Sequence, residues 1–362
     1  MTRASLRYRS FVVVALAGCG STSTGVPGTG VNPSLQIAAI EDLGRLPLPS
    51  AITLGRDGGD GGGLGGKLLW TFGDTFTSVA NPVDGSSVLS ATSGWSSTTD
   101  PLNLTQPVDG NGFPAQLVPY TAAELAQNHS DPLNGWALWP GAFIDTGEAE
   151  GLLIFQRILR SNGSGFDSKG IGTARLAVDA TVATRAPTDL FAPPETLFIP
   201  GSIVDGEVIA FACTTVGFLN SGCKIARAPR AQADQRVAYE FYDGQIWQGD
   251  IARAAVVIDH IGGGLSLSYN PYLHRYLAVN GAVLSSTVLL RTADRVEGPW
   301  STAVEIQPGT NYLAPTDAKN NNYIIIEHPA LRSTDGSAIV ISYSRPTDPF
   351  RGDVRLARIT FR

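Results

Sequence analysis

A pair of short apolar strands recurs along this chain, the second of each pair carrying Arg or Lys among small and aliphatic residues. GLLIFQRIL from Gly151 precedes GTARLAV from Gly172, and EVIAFACTTV from Glu207 precedes CKIARAP from Cys223. HRYLAVNGAV from His274 precedes STVLLRTADRV from Ser286, and SAIVISYSRP from Ser337 precedes DVRLARITF from Asp353. KLLWTFGDT from Lys67, with a more polar partner near Ser87 to Trp95, supplies the first member. Five units, each about 65 residues long, with turn signals between strands, point to an all-β fold built by radial repetition. A small sheet cannot bury both of its faces alone, so blades fanned around an axis supply the core and protect the edges. The expected architecture is a five-bladed β-propeller; a β-sandwich also has many short strands but does not account for five similar units. Helical periodicity is confined to a short turn around Thr121 to Gln127. Arg175, Arg227, Arg291 and Arg358 sit at equivalent places in their strands and read as structural ion pairs or solvated outer-strand charges.

The densest glycine run lies between Gly55 and Thr77. It opens GRDGGDGGG, continues into the apolar strand from Lys67 to Phe72 and closes on Gly73, Asp74 and Thr75. Two carboxylates, Asp57 and Asp74, thus stand seventeen residues apart around glycines that let backbone and substrate come close. The competing reading is a glycine-rich hairpin whose aspartates accept hydrogen bonds from turn amides.

The N-terminus reads as an address. Arg3, Arg7 and Arg9 form a basic region, Phe11 to Ala17 a short apolar core, and Leu16, Ala17 and Gly18 place small residues before Cys19. This ending resembles the lipobox of bacterial lipoproteins, which implies cleavage after residue 18 and a lipid on Cys19; an ordinary signal peptide cut nearby is the alternative. Residues 19–34 form an uncharged Gly/Ser/Thr/Pro tether, and residues 35–362 a single domain. The expected location is the bacterial cell envelope, with the lipid as the only membrane contact. Without residues 1–18 the chain carries 23 basic residues against 32 acidic ones, a net −9 without basic runs, which argues against nucleic acid as partner. Cys213 and Cys223 flank a turn-like segment and are expected to form a disulfide in an oxidising compartment. No Cys/His cluster has metal-ligand spacing, so no cofactor is expected, and the glycine run lacks the ending of a phosphate loop.

In a propeller the first strand of each blade lines the axis, so residues just ahead of each apolar strand are the candidates. They are Asp57 and Asp74, then Trp139 through Asp145, Pro200 through Asp205, Ser268 through Asn270, and Glu327 with His328. Carboxylates converging with aromatic rings suit sugar cleavage, one acid protonating the leaving oxygen while the other attacks or activates water. Asp57 and Asp74 are the expected catalytic pair; Arg56, Trp139, Asp145, Tyr269, Glu327 and His328 are expected to bind substrate. Arg56 beside Asp57 favours its ionised form, which makes Asp57 the nucleophile or base and Asp74 the acid. Asp205 and Asp335 read as turn residues.

GRDGG with FGDTF, YNPY (269–272) with RYLA (275–278), RTA (291–293) with GPW (298–300), and EHP (327–329) with ISY (341–343) resemble the family DUF4185, a domain of unknown function. The resemblance implies kinship with five-bladed propeller glycosidases of the arabinanase and fructosidase type. It also implies an endo-D-arabinanase-like activity on a furanoside polysaccharide, with Asp57 and Asp74 as the matching pair. The chain departs from the family at Asp60 and the glycines after it. More distant relatives place an acid in the third blade, where this sequence offers only Glu207, inside an apolar strand. Some related propellers carry an axial calcium, which nothing in the sequence supports. The rival expectation is a non-catalytic, lipid-anchored propeller that binds glycan or protein. Carboxylates facing each other across an open pocket favour the enzyme, and carboxylates locked to arginine favour the binder. A monomer is expected.

Overall fold

The computed structural model describes residues 35–162, 165–217, 220–348 and 351–362. The proposed signal segment, Cys19 and the tether lie outside the described residues. Strand β1 (Ile37–Arg45) is followed by five antiparallel sheets. Blade I comprises β2 (Thr53–Leu64), β3 (Lys67–Thr77), β4 (Val88–Ser97) and β5 (Asp100–Thr105). A helix, α1 (Ala122–Ser130), then leads to blade II, which comprises β6 (Trp136–Ile144), β7 (Glu150–Ser161), β8 (Gly165–Ala177) and β9 (Thr184–Arg185). Blade III comprises β10 (Ile199–Val204), β11 (Glu207–Gly217), β12 (Asn220–Pro229), β13 (Glu240–Tyr242), β14 (Trp247–Gln248) and β15 (Val256–Asp259). Blade IV comprises β16 (Leu265–Asn270), β17 (Arg275–Gly281), β18 (Val288–Ala293) and β19 (Val304–Ile306). Blade V comprises β20 (Tyr323–Glu327), β21 (Ala338–Asp348) and β22 (Arg351–Phe361), and takes β1 as its outer strand. The first strands β2, β6, β10, β16 and β20 touch one another in turn and close a ring, so the chain is a five-bladed propeller.

Side chains alternate between the two faces of a strand, and each second strand is buried on both. On β3, Leu68, Trp70 and Phe72 pack with Val340, Val354 and Leu356 of blade V, while Leu69 packs with Leu138, Phe143 and Phe155 of blade II. The same division yields an apolar cluster between blades II and III, III and IV, and IV and V. Burial on both faces is why the second strands read as continuous apolar runs. Third strands turn their arginines outward into ion pairs: Arg175 to Glu148 and Asp234, Arg227 to Glu207 and Glu240, Arg358 to Glu41. Arg291 is the exception, buried and donating to Asn280 Oδ1 at 2.9 Å. Thr121 and Glu124 close a capping box on α1, and Glu124 receives Arg157 and Arg185. Cys213 and Cys223 face each other across β11 and β12 and form the disulfide.

The glycine run is an axial strand, not a hairpin turn. A Cβ on Gly62 would sit 1.9 Å from the carbonyl oxygen of Phe143 on β6. At Gly61, where φ is +129°, it would sit 1.9 Å from the carbonyl oxygen of Leu69. Backbone stands where side chains would otherwise stand, so the ring closes only without them. We therefore expect Gly62→Ala to lower the unfolding free energy by about 3 kcal/mol. Gly110→Ala, which meets nothing within 4 Å, should change it by less than about 0.5 kcal/mol. Urea denaturation of both variants checks this, and equal midpoints would contradict the close approach.

Candidate active site

Asp57 lies in the first half of β2, and Asp74 near the end of β3, where the two strands run side by side. The Asp74 backbone N–H donates to Asp57 Oδ1 at 2.8 Å, and the Tyr323 hydroxyl, from the first residue of β20, donates to Asp57 Oδ2 at 3.0 Å. On the other side, Trp139 Nε1 of β6 and Arg160 Nη2 of β7 each donate to Asp74 Oδ1 at 3.1 Å. Blades I, II and V thus converge on the two carboxylates, and both aspartates are half-buried. Gly73 makes the approach possible, since a Cβ there would lie 2.9 Å from Asp57 Oδ1.

The two acids differ in their electrostatics. Burial, then the Asp74 charge, raise the Asp57 carboxyl to about 7 against the hydrogen bonds from Asp74 and Tyr323. Burial and the Asp57 charge push the Tyr323 phenol well up, so it stays a neutral donor. Asp74 instead forms an ion pair with Arg160. Further along β2, burial raises Asp60 to about 7, opposed by the Gly61 N–H at 2.8 Å.

Arg56 is not at this site. Neighbours on a strand point to opposite faces, so its guanidinium is buried away from Asp57. It donates to Gln106 Oε1 at 2.5 Å and to the Pro47 carbonyl at 2.6 Å, 3.4 Å above the Phe72 ring. The expectation that it holds Asp57 ionised is corrected accordingly. Asp145, Tyr269 and Glu327 are also displaced. They stand at or just beyond the C-terminal ends of β6, β16 and β20, whereas Asp57, Trp139 and Tyr323 stand in the N-terminal halves of the inner strands. Asp145 accepts from the Gly147 N–H at 2.7 Å and faces Arg230 at 3.8 Å. Tyr269 packs on Tyr276 with ring centres 5.4 Å apart. Glu327 is buried against Arg332 Nε at 3.0 Å and the Ser268 hydroxyl at 2.6 Å. His328 lies between blades I and V, 4.7 Å from the Trp70 ring and 2.8 Å from Ser342 Oγ, and burial lowers it to about 4. It is a packed core histidine.

Arg160 and Tyr323 are the site residues that sequence reasoning missed. Arg160 stands near the end of the second strand of blade II as Asp74 stands near the end of that of blade I, and Tyr323 opens an inner strand; both signals are positional. The inner strand of blade III, IPGSIV, has no carboxylate, and Glu207 pairs with Arg227. No group of three potential metal-binding side chains occurs among the described residues. A cavity of about 350 Å³ beside Tyr120 lies off the axis, and its Arg157 and Arg185 are paired with Asp189 and Glu124.

A five-bladed propeller with two aspartates beside its axis is the class that fold and site define. The chain belongs to the family described as a domain of unknown function, DUF4185, whose match spans residues 163–345 and therefore includes Tyr323 but neither aspartate. Solved structures share the fold. A family 117 glycoside hydrolase of the marine bacterium Zobellia galactanivorans has a TM-score of 0.52 at 10% identity, covering 89% of each chain. A GH43_1 enzyme from Xanthomonas citri, complexed with xylotriose, has a TM-score of 0.50 at 10% identity, covering 88% of this chain and 90% of that one. No curated protein matches this chain.

The raised Asp60 carboxyl has a consequence for stability. It binds its proton more tightly folded than unfolded, so its contribution is full below about pH 4 and is lost as pH climbs through about 7. Asp60→Asn removes that loss. The variant should exceed the wild type by more than about 1 kcal/mol at pH 8 and match it at pH 4, measured by urea unfolding. An equal difference at both pH values would contradict the assignment.

Proposed function

We propose that this chain is a glycoside hydrolase that cleaves a furanoside-containing, arabinan-like polysaccharide with Asp57 and Asp74. The observation that carries the reading is their asymmetry: one carboxyl holds a proton near neutrality while its neighbour is paired with a cation. Asp57, raised to about 7, donates its proton to the glycosidic oxygen as the bond breaks. Asp74, held by Arg160 and Trp139, stabilises the positive charge that develops on the sugar ring and acts on the incoming water or the ring carbon. These roles are the reverse of those expected from Arg56. Tyr323 fixes the Asp57 carboxyl without taking its proton. Two structures that share the fold are described as glycoside hydrolases, which supports the class of reaction.

A second reading has its own observation. The Arg160–Asp74 pair is the kind of lock that suits a non-catalytic glycan binder. The two separate on one assay. Asp57→Asn and Asp74→Asn should each lower hydrolysis of arabinan by about 10²–10⁴-fold, and wild-type kcat/KM should fall as pH rises through about 7 as Asp57 loses its proton. Glycan binding by a wild-type protein that releases no reducing ends would establish the binder instead.

The sequence before Cys19 supports export and anchoring at the bacterial cell envelope through a lipid on that cysteine. Cys19→Ala should abolish incorporation of labelled palmitate into the protein without changing the thermal midpoint of the propeller. Incorporation that survives the substitution would refute the anchor.

A further inference from the structure

Phe166 takes part in none of the five apolar clusters that hold the blades together. It sits near the start of β8, directly across from Arg160 on β7, and is 49% exposed. Its ring lies 5.2 Å from that of Trp139 at a tilt of 53°. Trp139 is anchored in turn by its hydrogen bond to Asp74. Phe155, Phe191, Phe198 and Phe241 are all buried in the blade interfaces. An apolar ring left half in water, with its neighbour tied to a carboxylate of the site, adds little to folding and is placed to meet a ligand.

We propose that Trp139 and Phe166 form a two-ring shelf that binds one sugar residue of the substrate through its apolar C–H face, beside the bond that Asp57 and Asp74 act on. This rests on the hydrolase reading for the word substrate; the shelf itself requires only that the site receive a carbohydrate. The electron-rich faces of aromatic rings attract the polarised C–H bonds of a sugar, while the hydroxyls at the rim of that sugar stay hydrated. Trp139 cannot swing away without giving up its bond to Asp74, so the shelf is set in advance. Arg160, opposite Phe166 and bonded to Asp74, borders it with hydrogen-bond donors. Phe166 is therefore a specificity-determining residue: it selects for a ring presenting an apolar face and against one whose hydroxyls project from that face.

The test uses Phe166→Ala and Phe166→Trp in the full chain, with arabinan- and fructan-derived oligosaccharides of defined length as probes. With Phe166→Ala we expect KM to rise about tenfold, with kcat and its pH profile unchanged. Phe166→Trp should restore KM. If Phe166 merely shields Trp139, its loss instead lowers kcat and moves the pH profile while KM stays put, and that result would overturn the proposal. Calorimetric titration of Asp57→Asn, with and without Phe166→Ala, reads binding without turnover. Phe166-dependent binding by a wild-type protein that hydrolyses nothing would sink the hydrolase reading and keep the shelf. Oligosaccharide binding to Asp57→Asn that is indifferent to Phe166 would sink the shelf and leave the hydrolase reading standing.

Discussion

The structure depends on how closely the backbones of its inner strands approach at the axis. Strand β2 has almost no side chains along its middle, and its glycines lie against carbonyls of β3 and β6 and against Val354 of blade V. Five wedge-shaped sheets leave little room at the centre, and one strand of bare backbone relieves the crowding. The apolar contacts that follow run between blades rather than within them, so each second strand serves two interfaces. Closing the ring by pairing β1 with β22 joins the first described strand to the last and removes a free edge from blade V.

The site inherits its chemistry from this closure. Asp57 reaches Tyr323 across the junction of blades I and V, and Asp74 reaches Trp139 and Arg160 across the junction of blades I and II. Neither aspartate has these partners within its own sheet. Their unequal environments follow: Asp57 has a neutral phenol and an amide for company, while Asp74 has a guanidinium. Two identical side chains on adjacent strands thus receive different surroundings from the neighbouring blades.

Much of the fold was legible because burial on both faces leaves a strong mark. Second strands such as LLIF (152–155) and VIAFA (208–212) are apolar at every position, and five of them at regular spacing leave few architectures open. The helical turn around Thr121 to Gln127 and the cysteine pair were legible because each is settled within about ten residues of chain. The ends of the inner strands were not. An offset from the next apolar strand leads to the C-terminal end of the inner strand, and so to Asp145, Tyr269 and Glu327, whereas Asp57, Trp139 and Tyr323 stand toward the other end. Arg56 was misplaced by adjacency alone: in an extended chain the nearest residue in sequence points the opposite way.

The sequence by itself determined that this chain makes five double-sided sheets, that Asp57 and Asp74 belong to the first of them, and that Cys213 meets Cys223. These are local facts, carried by continuous apolar runs at regular spacing and by residues close in the chain. Only the tertiary structure decided which charges surround the two aspartates, because Arg160 and Tyr323 lie 86 and 266 residues away from their partners. Electrostatic energy depends on distance in space and on exclusion of water. Neither is written into any single stretch of chain until the ring has closed.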